Sequence, residues 1–247
     1  MRCENEGSGP VVVLLPALGC DGRMWAGVTR TLARRFTVLR PETADTGDLP
    51  TAAQAVVGLL SSQGISAVGL AGLSMGGYLA FEVLRSWPQG VRSAALLDTT
   101  AFADAPERRK KRRQVLRLLN EGRFDDVLDA FTASVLAPEH AGPGPARDLL
   151  LEMARRLGPD GFAHDVQAIL QRGSYEDVLR LARVPLLFLA GEHDALSPPD
   201  VARRMARETP GARVAVVPGA GHMTALENPD EVARQLEAFF TETLGRG

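Results

Sequence analysis

The chain has little cysteine, almost no net charge and no long apolar run. Its 247 residues include only two cysteines, Cys3 and Cys20. Two thiols far from any histidine cluster do not make a zinc site. They leave a disulfide open but nothing in the sequence demands one, and free thiols are the expectation. A net charge of −2 provides no global field toward nucleic acid or an anionic membrane. No apolar stretch approaches the ~20 residues of a membrane span. The opening residues, MRCENEGSGP, lack the apolar segment of a signal peptide. A cytoplasmic protein is expected. No G-x-G-x-x-G pattern follows the first strong strand, so a dinucleotide site has no support.

What is present is a repeated alternation. Apolar runs of strand length occupy 11–16, 36–41, 66–72, 91–98, 184–191 and 212–219. The first, VVVLLP, is apolar throughout, as a strand buried on both faces must be. Helical patterns lie between the runs, near 23–35, 51–63, 75–86, 198–208 and 229–243. Strand and helix in alternation predict right-handed crossovers and a mostly parallel sheet of about six strands with helices on both faces. The alternation stops between about 100 and 183, where several helical segments and one Pro- and Gly-rich loop (137–146) replace it. The chain divides accordingly into a first part of an α/β core (1–100), a helical lid (101–183) and a second part of the core (184–247).

One short stretch asks for chemistry. Gly72-Leu73-Ser74-Met75-Gly76 fits G-x-S-x-G with a strand before it and a helix after. Small neighbours let strand and helix approach closely, and the serine oxygen then projects above the sheet at a helix N-terminus. A serine hydroxyl needs a base to take its proton. The chain has four histidines, His140, His164, His193 and His222. His140 falls in the Pro/Gly loop and His164 in a lid helix. His222 follows the last strand, at the carboxyl edge of the sheet where Ser74 also sits. A base of this kind needs an acid to orient it, and Asp194 ends the preceding strand at the same edge. The order Ser74, Asp194, His222 gives three chemical groups at three strand ends.

Here the chain resembles the α/β-hydrolase superfamily, among its small esterase-like members with a helical lid. The stretches GLSMGG, LAGEHDALSPP and VPGAGHMTALENPDEV are similar to that family's nucleophile, acid and histidine regions. The resemblance covers about residues 8 to 243, most weakly in the lid. It implies the α/β-hydrolase fold, with Ser74 as nucleophile, Asp194 as acid and His222 as base. It also implies an oxyanion hole built from the backbone N–H groups of Met75 and Leu18. Family members often carry His-Gly-x-Gly where this chain has Pro16-Ala17-Leu18-Gly19. They commonly have two antiparallel strands before this point, whereas only ten residues precede Val11, enough for a stub of one. Trp25 reads as a packing residue, and Asp21 as an exposed or helix-capping one.

The expected reaction is hydrolysis of a carboxylic ester or related acyl bond through an acyl-enzyme, with no metal or organic cofactor. The GEHD tetrad (191–194) does not converge easily on a metal ion. Leu18, Met75, Phe102 and Met223 suggest an apolar pocket, with Phe102 and Met223 as substrate contacts. A thioesterase for carrier- or coenzyme-A-bound acyl groups is the alternative, as is a non-catalytic ligand-binding protein on the same scaffold. Six consecutive basic residues, 108–113, open the lid. They read as a solvated helix face or as a docking patch for an anionic carrier. No nucleic-acid partner is expected.

Overall fold

A computed structural model describes residues 1–43 and 47–245. The chain begins with strands β1 (Cys3–Glu6) and β2 (Val11–Leu15), a 3-10 turn (Gly22–Trp25) and helix α1 (Ala26–Leu32). Strand β3 (Thr37–Pro41), α2 (Leu49–Ser62), β4 (Val68–Leu73), α3 (Met75–Ser86) and β5 (Val91–Leu97) complete the first half. Four helices follow: α4 (Pro106–Asn120), α5 (Phe124–Val135), α6 (Pro145–Gln171) and α7 (Glu176–Leu181). The chain then returns to the sheet as β6 (Leu186–Gly191), α8 (Pro199–Arg207), β7 (Arg213–Val217), the short α9 (Thr224–Glu227) and α10 (Pro229–Leu244).

The described strands form one sheet in the order β1-β3-β2-β4-β5-β6-β7. Six of them run parallel, as the apolar runs imply. The seventh, β1, corrects the expected count: it pairs antiparallel with β3, Cys3 opposite Pro41 and Glu6 opposite Val38. Its sequence, CENE, has no apolar face, and the side chains help hold it through charge. The buried guanidinium of Arg40 pairs with Glu4 at 2.7 Å and also with Glu6.

Period-two alternation divides the strand side chains between two cores. Val13, Leu15, Leu70, Leu96 and Phe188 face one side, with α2 and α3 packed over them. Val12, Leu14, Ala71, Leu97 and Leu189 face the other, under α1 and α10. This arrangement aligns the carboxyl ends of β4, β6 and β7 along one edge. Helices α4 to α7 all lie in sequence between β5 and β6 and extend the first core, through Leu119, Val127, Phe162 and Tyr175. The segment α6 is broken at Gly158, whose φ of 76° no helix contains. Pro159 follows and starts the second half.

Phe240 ties α10 to the sheet. Its ring is fully buried, lies edge-on to Phe36 at 6.2 Å and fills the space that a side chain at Gly69 of β4 would need. Phe240→Ala is expected to cost about 3–5 kcal/mol, read as a lowered midpoint in urea denaturation.

Candidate active site

Ser74 is the single residue between β4 and α3, and its backbone carries the turn at φ 54°, ψ −111°. A non-glycine residue held there stores about 1–3 kcal/mol of strain. Its surroundings fix it. The Ser74 N–H donates to the Leu97 carbonyl at 2.9 Å, and the Thr99 hydroxyl donates to the Ser74 carbonyl at 2.8 Å. The flanking glycines are needed for space. A Cβ on Gly72 would lie 2.2 Å from the Gly76 carbonyl oxygen, and one on Gly76 would lie 2.2 Å from that of Leu15.

The structure brings Ser74, Asp194 and His222 together. His222 Nε2 lies 2.8 Å from Ser74 Oγ, and its Nδ1 lies 2.8 Å from Asp194 Oδ2. A carboxylate beside Nδ1 keeps the proton on that nitrogen and leaves Nε2 free to accept the serine proton. Asp194 Oδ1 accepts the N–H groups of Leu196 at 2.7 Å and Ser197 at 2.9 Å. Burial pulls the Asp194 carboxyl upward. The adjacent imidazole and the two backbone donors outweigh it and hold the group below the ordinary carboxylate range. Both side chains are almost fully covered.

Behind this set stands Asp98, which the sequence reading did not single out. It directly follows β5, at φ 48°, and is fully buried. Its carboxyl accepts the N–H of Gly191, at the end of β6, at 2.8 Å, and the hydroxyl of Thr224 at 2.5 Å. It thereby links the acid-bearing loop to the histidine-bearing one. Burial, then the charge of Asp194, pushes its carboxyl well above the usual range. The available signal was an aspartate in an otherwise apolar strand, LLDTT, ending at the same sheet edge.

The oxyanion-hole candidates sit where the loop after β2 faces the serine turn. The loop is shaped by Cys20 N–H to the Ala17 carbonyl at 3.0 Å and Gly19 N–H to Asp165 at 3.1 Å. Among the described residues, neither the Leu18 N–H nor the Met75 N–H has a protein acceptor. Trp25 is fully buried, and Asp21 caps the 3-10 turn through Arg23 N–H.

A cavity of about 340 Å³ opens beside Ser74. Leu18, Met223, Val127, Phe131, Phe162 and Ile169 supply apolar walls from both the core and the inserted helices. Of the two residues expected to contact substrate, Met223 borders this cavity and Phe102 does not. Its ring is covered by the Arg204 guanidinium of α8, 3.7 Å from the centroid. His193 and His164 are exposed and His140 is half-buried, and none of the three borders the cavity.

The insertion also touches the histidine directly. The His222 N–H donates to the Val135 carbonyl, at the end of α5, at 2.8 Å. The buried carboxylate of Glu227 accepts Met223 N–H at 2.9 Å and Ala137 N–H at 2.7 Å, clamping the two segments together. Among the described residues, no three His, Cys, Asp or Glu side chains gather as a metal site requires. No helix there is long and apolar enough to cross a membrane.

A family model described as the alpha/beta hydrolase family matches residues 12–235. The chain belongs to the alpha/beta hydrolase family. It is 28% identical over 245 residues to the pimeloyl-[acyl-carrier protein] methyl ester esterase of Chromobacterium violaceum, spanning 94% of this chain and 95% of that protein. Among solved structures of this hydrolase fold, a thermophilic esterase from Thermogutta terrifontis with malate bound superposes with a TM-score of 0.92 at 26% identity. That match covers 98% of this chain and 93% of the esterase. The enol-lactonase from Burkholderia xenovorans LB400 shares the fold with a TM-score of 0.88 at 23% identity, over 97% of this chain and 96% of its own.

Asp98 gives a test of how this hydrolase holds its loops. Asp98→Ala strands the Gly191 N–H and the Thr224 hydroxyl and should cost about 1–3 kcal/mol. Asp98→Asn keeps a partner for both and should cost less. A raised folded pKa means that the native aspartate loses stability as pH climbs above the unfolded carboxylate value. The Asn variant lacks that loss, so its stability relative to the parent should improve from pH 4 to pH 8 in denaturant titrations.

Proposed function

We propose that the protein hydrolyses carboxylic esters, with Ser74 as nucleophile, His222 as general base and acid, and Asp194 as its orienting carboxylate. The observation that carries this reading is the pair of 2.8 Å contacts on the two nitrogens of His222, one to Ser74 and one to Asp194. The esterase names of the relatives support the same reaction class.

The proposed course follows from the geometry. His222 Nε2 takes the Ser74 proton as Oγ attacks the ester carbonyl. The carbonyl oxygen becomes an anion, and the N–H groups of Leu18 and Met75 are the donors proposed to hold it. The imidazolium, stabilised by ionised Asp194, gives its proton to the departing alkoxide. Water then enters, loses its proton to His222 and attacks the acyl-enzyme; the bond to Ser74 Oγ breaks, Oγ takes that proton back from His222, and the acid leaves. Residues 101–183 act in this scheme as a lid over a core made of 1–100 and 184–247, with Met223 contacting the acyl group. No metal or organic cofactor enters any step.

A thioesterase reading of the same centre has one specific support. The basic residues of α4 lie beside the cavity, where an anionic carrier or coenzyme A would meet them. A relative is named for a carrier-bound methyl ester.

A fluorophosphonate probe should label Ser74 at neutral pH, and Ser74→Ala and His222→Ala should each abolish labelling, as read by mass spectrometry. A folded protein that takes no label would count against hydrolysis and favour the ligand-binding reading. Asp194→Asn should lower kcat by about 10⁴-fold by leaving the wrong tautomer facing the serine.

A further inference from the structure

The basic run 108–113 is not a uniformly solvated face. Its α4 positions separate by helical spacing. Arg108, Lys111, Arg112, Val115 and Leu118 recur at intervals of three and four, and all border the cavity beside Ser74. Lys110 and Arg113 do not border the cavity and are exposed; Lys111 borders it and is exposed as well, so its ammonium stands where the cavity meets solvent. Apart from His222, the charged side chains among the described cavity residues are these three cations, set in walls that are otherwise mostly apolar.

Their partners differ. Arg112 binds Asp104 at 2.7 Å, and the buried Arg172 binds the other oxygen of the same carboxylate at 2.7 Å. Arg108 donates to the Leu196 carbonyl and approaches Asp104 only at 3.9 Å. Asp104 is thus shared among three guanidiniums, which hold its carboxyl below the usual range against the opposing effect of burial. Lys111 has no carboxylate within ion-pair distance among the described residues. The wall that α4 gives to the cavity therefore carries uncompensated positive charge. An anionic group on a bound ester would pair with it, while an uncharged ester would leave it to solvent.

We infer that the site selects esters whose acyl part carries a second, anionic group, met by Lys111 together with Arg108 after an apolar stretch that fills the cavity. This rests on the ester-hydrolase reading of the same site. The acyl side is the relevant one, because it stays attached to Ser74 while the alcohol departs and water enters. A carboxylate-terminated chain, as in the half-ester of a dicarboxylic acid, has the required chemistry: a scissile ester, methylene groups and a terminal charge.

The test compares monomethyl hexanedioate with its terminal-amide analogue, which is nearly isosteric and uncharged. The expected kcat/KM is about fivefold higher for the half-ester. The ratio should fall toward one in Lys111→Met and in 0.5 M salt, and below one in Lys111→Glu. Arg113→Met, on the outer face of the same helix, should leave the ratio unchanged. Calorimetry of both compounds with Ser74→Ala reads the same preference without turnover. Equal hydrolysis of the two esters, or a preference that survives Lys111→Met, overturns the inference while ester hydrolysis stands. A binding preference for the half-ester with no hydrolysis of either compound overturns the hydrolase reading and leaves the anion site in place. Equal binding with no hydrolysis overturns both.

Discussion

The imidazole of His222 is held at both of its nitrogens, and much of the architecture around the site is arranged so that it can be. One nitrogen needs a carboxylate that arrives from the end of β6. The other needs a hydroxyl from the turn after β4. The histidine itself follows β7. A parallel sheet places the carboxyl ends of these strands side by side, and short connections then suffice to bring the three groups into contact. The register of β4 with β5, and of β5 with β6, is fixed by apolar side chains far from any chemistry. The distances among Ser74, His222 and Asp194 are in that sense set by the packing of two cores.

The site is also where the fold carries unfavourable local terms. Ser74 and Asp98 are the non-glycine residues with positive φ among those described, and they sit at adjacent strand ends. Two carboxyl groups, Asp98 and Asp194, are buried close enough to influence one another. Their environments push them apart in acidity. Asp194 gains an imidazole and two backbone donors and stays ionised. Asp98, with one backbone donor and one hydroxyl, is displaced toward its neutral form. Two like charges so close would repel in a poorly polarisable interior, and this division avoids that cost.

The parts of this arrangement that rest on local pattern were legible in the sequence. Continuous apolar runs marked the six parallel strands, and glycines around a serine marked the turn. The order of serine, aspartate and histidine at successive strand ends marked the set that now meets at Ser74. What escaped depends on partners distant in sequence. Room for a strand before Val11 was visible, but not that Cys3–Glu6 forms it, because this stretch has no apolar periodicity and is held by β3 and by Arg40. Asp98 looks like an ordinary strand end until Gly191 and Thr224 are seen to donate to it. Phe102 was expected in the pocket as an apolar side chain, but Arg204 from α8 stacks over its ring. The basic run acquires two faces only once α4 is laid along the cavity.

The hydrogen bond from His222 to Val135, and the Glu227 carboxylate that joins Met223 to Ala137, give the inserted helices a second tie to the core besides the peptide chain. A covering segment that merely shaded the pocket could be exchanged between relatives as a cassette, cut at the ends of β5 and β6. Here such a graft would have to supply anew the carbonyl that accepts the backbone N–H of His222 and the N–H that fills the Glu227 clamp. Residues 135–137, His222 and Glu227 therefore form one hydrogen-bonded unit in this chain, and the cavity walls lie on either side of it.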